Sequence, residues 1–230
     1  MRFFLSKISG IQACVFDAYG TMFDVHSAVN KVSDALGDKA AAVSILWRDK
    51  QLQYTWLRSL MQDFEPFSKV TSDALDFALE AHGVEVDGLH EKLMDAYFRL
   101  DAYDDVAPTL DALRAKGLKT AILSNGSPDM LGAAVANAAL GDKLDAVLTV
   151  DIVGVNKPDP RVYQMPLDEF GIQASEVCFI SNNAWDCHGG AHFGYQVARL
   201  NRNQVAEEKL SGRPRITLNG LQGLADLIDG

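Results

Sequence analysis

Cysteine is scarce in this chain, three in 230 residues, at no spacing that a disulfide framework would use. Cys14 and Cys178 lie inside apolar runs and read as core residues. Cys187 stands next to His188 and close to His192. No fourth ligand accompanies them and the spacing matches no zinc pattern, so no metal is expected. Unpaired thiols fit a reducing, cytoplasmic setting. Basic residues are also few: 21 Lys and Arg against 31 Asp and Glu, a formal net charge of −10. An acidic surface without a basic stripe repels phosphate backbones, which excludes nucleic acid as a partner. No apolar run approaches bilayer-spanning length, so no membrane partner is expected. The opening M-R-F-F-L-S-K has too short an apolar core for a signal peptide. Internal repeats and low-complexity linkers are missing too.

What is present is a hydrophobic content of 48%, enough for a substantial core in one large domain or a domain with an insert. The stretch C-V-F-D-A-Y-G-T-M-F-D-V, from Cys14 to Val25, organises the rest. Its short apolar run ends on Asp17, and Gly20 and Thr21 follow at once. Such a run bounded by a glycine turn reads as a buried parallel strand over residues 11–17. Ligands of open α/β sheets sit at the carboxyl ends of strands. Asp17 is then either a reactive carboxylate at a strand tip or the cap of the next turn.

Between residues 25 and 100 the pattern is helical, with helices expected over 25–36, 40–61, 71–82 and 89–100. In the second, Ile45, Leu52, Trp56 and Leu60 recur along one apolar stripe. Four helices directly after the first strand suggest a separate helical cap. Thereafter strand and helix alternate. Helix 106–116 ends at Gly117, and strands are expected over 119–123, 146–150, 177–180, 195–199 and 215–218. Ser127-Pro128 and Asp159-Pro160 are helix starts, and Asp186 opens a short helix. The alternation implies an α/β, Rossmann-like parallel sheet core with an inserted helical cap domain. The core would comprise residues 1–20 and 101–230, and the cap 21–100.

Each central strand ends on polar residues: Asp17, then Ser124-Asn125-Gly126, then Ser181-Asn182-Asn183 with Asp186 beyond. Lys157 sits in a loop stiffened by the following P-D-P-R. Parallel neighbours bring such tips to one edge. Ser124 to Gly126 precede a helix start, where free N–H groups form an anion pocket for a carboxylate or a phosphate, unless this is an ordinary capped loop. Lys157 near Asp17 would keep that acid ionised, and a surface lysine is the plainer alternative. Arg48 lies one helical turn before Leu52, at the margin of the apolar stripe. There it meets a buried anion or snorkels to water.

Taken together these segments resemble the haloacid dehalogenase superfamily, and more narrowly its (S)-2-haloacid dehalogenases. The matching motifs are F-D-A-Y-G-T at Phe16 to Thr21, I-L-S-N-G-S at Ile122 to Ser127, K-P-D at Lys157 to Asp159 and S-N-N-A-W-D at Ser181 to Asp186. The cap signature, L-W-R-D-K-Q-L-Q-Y-T-W-L-R-S-L from Leu46 to Leu60, is more specific than the core motifs, which phosphatases share. Two departures from the phosphatase pattern carry weight. Tyr19 replaces the general acid two residues after the nucleophile, and a phenol of pKa about 10 is a poor acid at neutral pH. Asn182 stands where phosphatases place an acid for magnesium, which wants charged oxygen ligands. Asn182 also departs from the serine usual in dehalogenases.

The resemblance implies hydrolysis of short (S)-2-haloalkanoic acids to (R)-2-hydroxy acids, without cofactor or metal, by Asp17 as nucleophile. Thr21 and Lys157 would orient Asp17. Ser181, Asn183 and Asp186 would place and activate water, and Arg48 would receive the halide. Ser124, Asn125 and the backbone near Ala18 and Tyr19 would hold the substrate carboxylate. Tyr19, Leu52, Phe67 and Trp185 would line a dry pocket, with Tyr163 near it as substrate contact or core. It also implies a homodimer, for which the Leu52–Trp56–Leu60 face is a candidate contact. The alternatives are a magnesium-dependent small-molecule phosphatase of the same superfamily and a non-enzymatic binding protein on this fold, which would have no use for Asp17, Lys157 and Asp186.

Overall fold

The computed structural model describes residues 8–229, so the M-R-F-F-L-S-K opening lies outside the described residues. Strand β1 (Ile8–Ser9) leads to β2 (Ala13–Phe16). Helices follow: α1 (Ser27–Asn30), α2 (Ser33–Leu36), α3 (Ala40–Met61), α4 (Phe67–Ala81) and α5 (Leu89–Phe98). After α6 (Val106–Ala115) the chain alternates through β3 (Lys119–Ser124), α7 (Pro128–Asn137), β4 (Ala146–Thr149) and α8 (Pro160–Phe170). It continues with β5 (Val177–Ser181), α9 (Ala184–Phe193), β6 (Gln196–Leu200), β7 (Ile216–Leu218) and β8 (Ile228–Asp229).

Six strands form one parallel sheet in the order β4-β3-β2-β5-β6-β7. In register, Phe16 stands opposite Ile122 on one side and Ile180 on the other. The residues just past these positions, Asp17, Leu123-Ser124 and Ser181, therefore emerge at one sheet edge. All four residues of β2 are buried, which is why its sequence is a continuous apolar run rather than an alternating one. Cys14 and Phe16 pack on one face, Ala13 and Val15 on the other. The Phe16 face continues into Tyr19, Trp47, Phe67 and Tyr97, so helices α3 to α5 share a core with the sheet.

Several sequence expectations need correcting. The helix expected over 25–36 is two short helices, because Val32 leaves helical geometry at φ −126°, ψ 19°. Helix α4 starts one turn before Thr71, since Pro66 is extended at the N-cap and admits Phe67 as its first residue. Along the stripe Ile45, Leu52, Trp56, Leu60 the middle pair is half-buried and the two ends are exposed. Ile45 and Leu60 are 58% and 81% exposed, and the buried face of α3 is Val43, Ser44, Trp47, Gln51 and Thr55. Polar residues are accommodated on that inward face because each has a partner: Ser44 pairs with His26, Gln51 donates to Thr71 and Tyr97, and Thr55 donates to Leu52 O. Helix α9 begins at Ala184, so Asp186 lies in its first turn rather than opening it. Ser127 is the N-cap of α7 by position, but its side chain makes no cap bond. At Asp159 the cap is formed, with its carboxylate accepting from Arg161 N at 2.9 Å. The other strands and helix 106–116 match within a residue or two, while the small parallel pair β1–β8 was not anticipated.

Candidate active site

Asp17 follows β2 directly and is 6% exposed. Its Oδ2 accepts from Thr21 Oγ1 at 2.7 Å, Asn183 Nδ2 at 2.7 Å and Ser181 Oγ at 3.3 Å. Among the described residues its Oδ1 faces only Lys157 Nζ, at 3.2 Å. The turn at Gly20, where φ is +89°, returns Thr21 under the carboxylate, a conformation that L side chains rarely adopt. One oxygen is thus tethered by three donors, while the other keeps a cation beside it and lone pairs to spare. The backbone N–H groups of Ala18 and Tyr19 have no acceptor among the described residues.

Lys157 is buried between two acids, with Nζ 2.8 Å from Asp186 Oδ2. Burial works against its charge, but Asp17 and then Asp186 outweigh it and raise its pKa above the lysine norm. Burial pushes the Asp186 carboxyl up to about 6 against the pull of Lys157. Tyr163 donates its hydroxyl to Asp186 Oδ1 at 2.7 Å, and Gly189 makes this possible, since a Cβ there would sit 2.4 Å from that hydroxyl. Lys157 is placed from behind by its loop: its N–H donates to Asn125 Oδ1 at 2.9 Å, and Asn156 N donates to Ser59 Oγ on α3 at 3.1 Å.

A small pocket above Asp17 is lined by Tyr19, Arg48, Leu52, Phe67, Ser124, Asn125, Lys157, Asn183 and Trp185. The closed space left is about 10 Å³, room for about one water. Arg48 reaches down from α3, donating from one guanidinium nitrogen to Tyr19 O at 3.1 Å and Asn183 Oδ1 at 3.3 Å. The other nitrogen donates to Gln51 Oε1 at 2.7 Å. Burial raises the Tyr19 hydroxyl well above an ordinary phenol, making it a poorer acid still. Its ring packs 5.3 Å from Phe67 and lies against Gly126, where an added Cβ would come within 2.5 Å. Ser124 Oγ accepts from Gly126 N at 3.0 Å, leaving its own proton free to donate.

Of the other sequence-selected residues, Thr21 and Ser181 bond Asp17 and Asp186 bonds Lys157 beneath this pocket. Tyr163 does not line this pocket: its hydroxyl donates to Asp186 and its ring packs in the core, the second of the two places the sequence left open to it. Asn182 also points away, its Oδ1 accepting from Arg202 N at 3.1 Å. Sequence reading missed Gln51, which is fully buried and also donates to Thr71 Oγ1 at 2.7 Å. The available signal was its place three residues after Arg48 on one helix. Gly126 and Gly189 were missed as well, and only their three-dimensional neighbours reveal them. Among the described residues, no three His, Cys, Asp or Glu side chains cluster as metal ligands.

A parallel α/β sheet whose central strand ends on a donor-ringed aspartate beside a buried lysine defines a class, the hydrolases with a strand-tip carboxylate. A family model for haloacid dehalogenase-like hydrolases matches residues 11–194. The chain is 46% identical over 219 residues to (S)-2-haloacid dehalogenase 1 of Pseudomonas sp. (strain CBS-3), covering 95% of this chain and 96% of that one. It is 47% identical over 196 residues to (S)-2-haloacid dehalogenase 4A of Burkholderia cepacia, with 85% of each covered. The solved structure of the L-2-haloacid dehalogenase from Xanthobacter autotrophicus with chloropropionic acid covalently bound superposes with a TM-score of 0.87 at 38% identity, covering 94% of this chain and 98% of that one. The chain belongs to the haloacid dehalogenase-like hydrolases.

Proposed function

We propose that this chain hydrolyses short (S)-2-haloalkanoic acids to (R)-2-hydroxy acids through an ester on Asp17, without a metal ion. The observation that carries this reading is the asymmetric hold on Asp17, three donors on Oδ2 and, among the described residues, Lys157 alone on Oδ1, beneath a pocket partly lined by Leu52, Phe67, Trp185 and the Tyr19 ring. The freer oxygen, Oδ1, attacks C2 of the substrate from the side opposite the halogen. The carbon–halogen bond breaks with its electron pair, and halide leaves toward Arg48. Ser124, the Asn125 amide and the N–H groups of Ala18 and Tyr19 hold the substrate carboxylate. Leu52, Phe67, Trp185 and the Tyr19 ring exclude water. Water then attacks Cγ of Asp17, placed by Ser181 and Asn183, with Asp186 activating it through the buried charge network. The ester Cγ–O bond breaks, the alkoxide takes a proton, and the 2-hydroxy acid leaves with inverted C2. One proton is released overall with the halide. Tyr163 acts on Asp186 rather than on substrate.

Metal independence is supported by the donors that already fill Asp17 Oδ2 and by an amide, Asn183, beside it. Residues 21–100 act as a cap over a core of residues 1–20 and 101–230. The outward face of α3, with Ile45, Leu57, Leu60 and Met61 exposed, is the surface offered for a homodimer. No helix among the described residues is long and apolar enough to cross a membrane, and the three free cysteines suit a cytoplasmic setting.

The test is halide release from each enantiomer of 2-chloropropionate, with and without excess chelator, together with a single turnover in heavy-oxygen water. The expected result is release from the (S) form only, unaffected by chelator. First-turnover product should be unlabelled and the Asp17 peptide transiently heavier by the acyl fragment. Label in the first product would replace the ester by direct water attack, and magnesium-dependent hydrolysis of a phosphate ester without halide release would replace the reaction altogether.

A further inference from the structure

Arg202 lies in the turn after β6 and is not part of the pocket lining. Its two terminal nitrogens donate to the two oxygens of Asp105, each at 2.8 Å. Both partners are largely buried, at 14% and 4% side-chain exposure. The guanidinium also lies 4.1 Å over the Tyr103 ring and donates to the backbone oxygen of Thr21 at 3.3 Å. Asp105 is held further by Leu221 N at 2.9 Å. Gly220 leaves the space for this pair, since a Cβ there would stand 3.0 Å from Asp105 Oδ2.

The segments that Arg202 grips are those by which the chain leaves for helices α1 to α5 and returns. They are laced together: Tyr103 N donates to Met22 O at 2.9 Å, Asp24 N donates to Asp101 O at 2.9 Å, and Phe23 pairs antiparallel with Ala102. From this junction a closed ring of bonds runs to the nucleophile. Arg202 N donates to Asn182 Oδ1 at 3.1 Å, and Asn182 N donates to Thr21 Oγ1 at 2.9 Å. Thr21 Oγ1 in turn donates to Asp17 Oδ2 at 2.7 Å, and the Thr21 carbonyl returns the ring to the Arg202 side chain. A planar, always-charged fork satisfies a carboxylate in bidentate fashion while still reaching a carbonyl, which a lysine cannot do.

We propose that Arg202 is a positioning residue that clamps the departing and returning segments of the helical insert and, through Thr21 and Asn182, fixes the orientation of the Asp17 carboxylate. What the fixed carboxylate then does rests on the function proposed above. The clamp accounts for the Asn182 side chain, which turns from the pocket and instead pins the Arg202 turn. It also separates the roles of the two linkers from those of the lining residues: loss of the clamp should misplace the nucleophile without removing any group that binds substrate.

The experiment compares Arg202→Ala, Arg202→Lys and Asp105→Asn with the parent, by (S)-2-chloropropionate turnover and by amide hydrogen exchange. Misplacing a reacting group by a fraction of an ångström to an ångström costs about ten- to a hundredfold in rate. Arg202→Ala should therefore lose at least about tenfold in kcat with KM within about twofold, and millimolar guanidinium should restore part of the loss. Arg202→Lys should recover little. Exchange should quicken in peptides spanning 17–24 and 101–105 but not in those spanning 119–124. Asp105→Asn keeps the side-chain volume and covers the case in which Arg202→Ala does not fold; it should move both readouts in the same direction by less. Unchanged exchange, or faster exchange with kcat within twofold of the parent, overturns the proposal. A parent that releases no halide sinks the proposed function and leaves the clamp to the exchange measurement.

Discussion

The Tyr163 hydroxyl donates to Asp186 Oδ1 at 2.7 Å, and that bond favours the ionised form of a carboxyl which burial has pushed up to about 6. Activity that needs ionised Asp186 should fall on the acid side with a midpoint near 6. Tyr163→Phe removes the bond and should move this limb upward by about one unit, the equivalent of roughly 1.4 kcal/mol. The check is the pH profile of kcat in parent and variant. For stability the sign is the reverse of an ordinary salt-bridged acid. Between the unfolded value and about 6 the folded state binds more protons, so this group's contribution declines as pH rises through that window.

Lys157 compensates two buried acids at once. Lys157→Met leaves both without a cation and should cost about 3–5 kcal/mol, as removal of one partner of a buried ion pair does. Denaturant titration measures this. Activity should be lost even where the variant stays folded, because Asp17 Oδ1 loses the cation that faces it.

Arg48 and Gln51 form one unit on α3. Arg48→Ala should lower halide release by about a hundredfold while the cooperative melt is retained, the scale of losing one preorganised donor at a developing charge. Gln51→Leu should cost less, about tenfold, by freeing the guanidinium. The double variant should be no worse than Arg48→Ala alone, since the two act through a single group. Steady-state kinetics on all three decides it.

Gly126 borders the Tyr19 ring so closely that a methyl group would have to displace it. Gly126→Ala should destabilise by about 1–3 kcal/mol through overpacking, and should lower activity because Tyr19 walls the pocket. Thermal unfolding and turnover, measured together, test both parts.

The sheet was legible because its strands are continuous apolar runs that stop on polar residues, as at Phe16–Asp17 and Ile180–Ser181. The Asp159-Pro160 helix start was legible for a chemical reason, an acid able to cap the N–H of Arg161. The orientation of α3 was not. Its inward face carries Ser44, Gln51 and Thr55, and the partners of Gln51, Thr71 and Tyr97, come from other helices, so hydrophobic spacing alone did not mark that face. The break at Val32 left no proline or glycine to mark it. The cluster of pocket residues was found from motifs, whereas Tyr163 stayed open between substrate contact and core, because only Gly189, distant in sequence, lets it reach Asp186. Arg202 gave no local signal, since its partners lie at residues 21, 105 and 182.

The single ammonium shared by two carboxylates has a temporal consequence. While Asp17 is anionic it repels Asp186 and helps to hold the latter's pKa up. In the proposed reaction the Asp17 ester would bear no charge, the repulsion would end, and Lys157 would belong to Asp186 alone. Asp186 would then become a fuller anion at the moment the hydrolytic water needs a base, and the first half-reaction would arm the second.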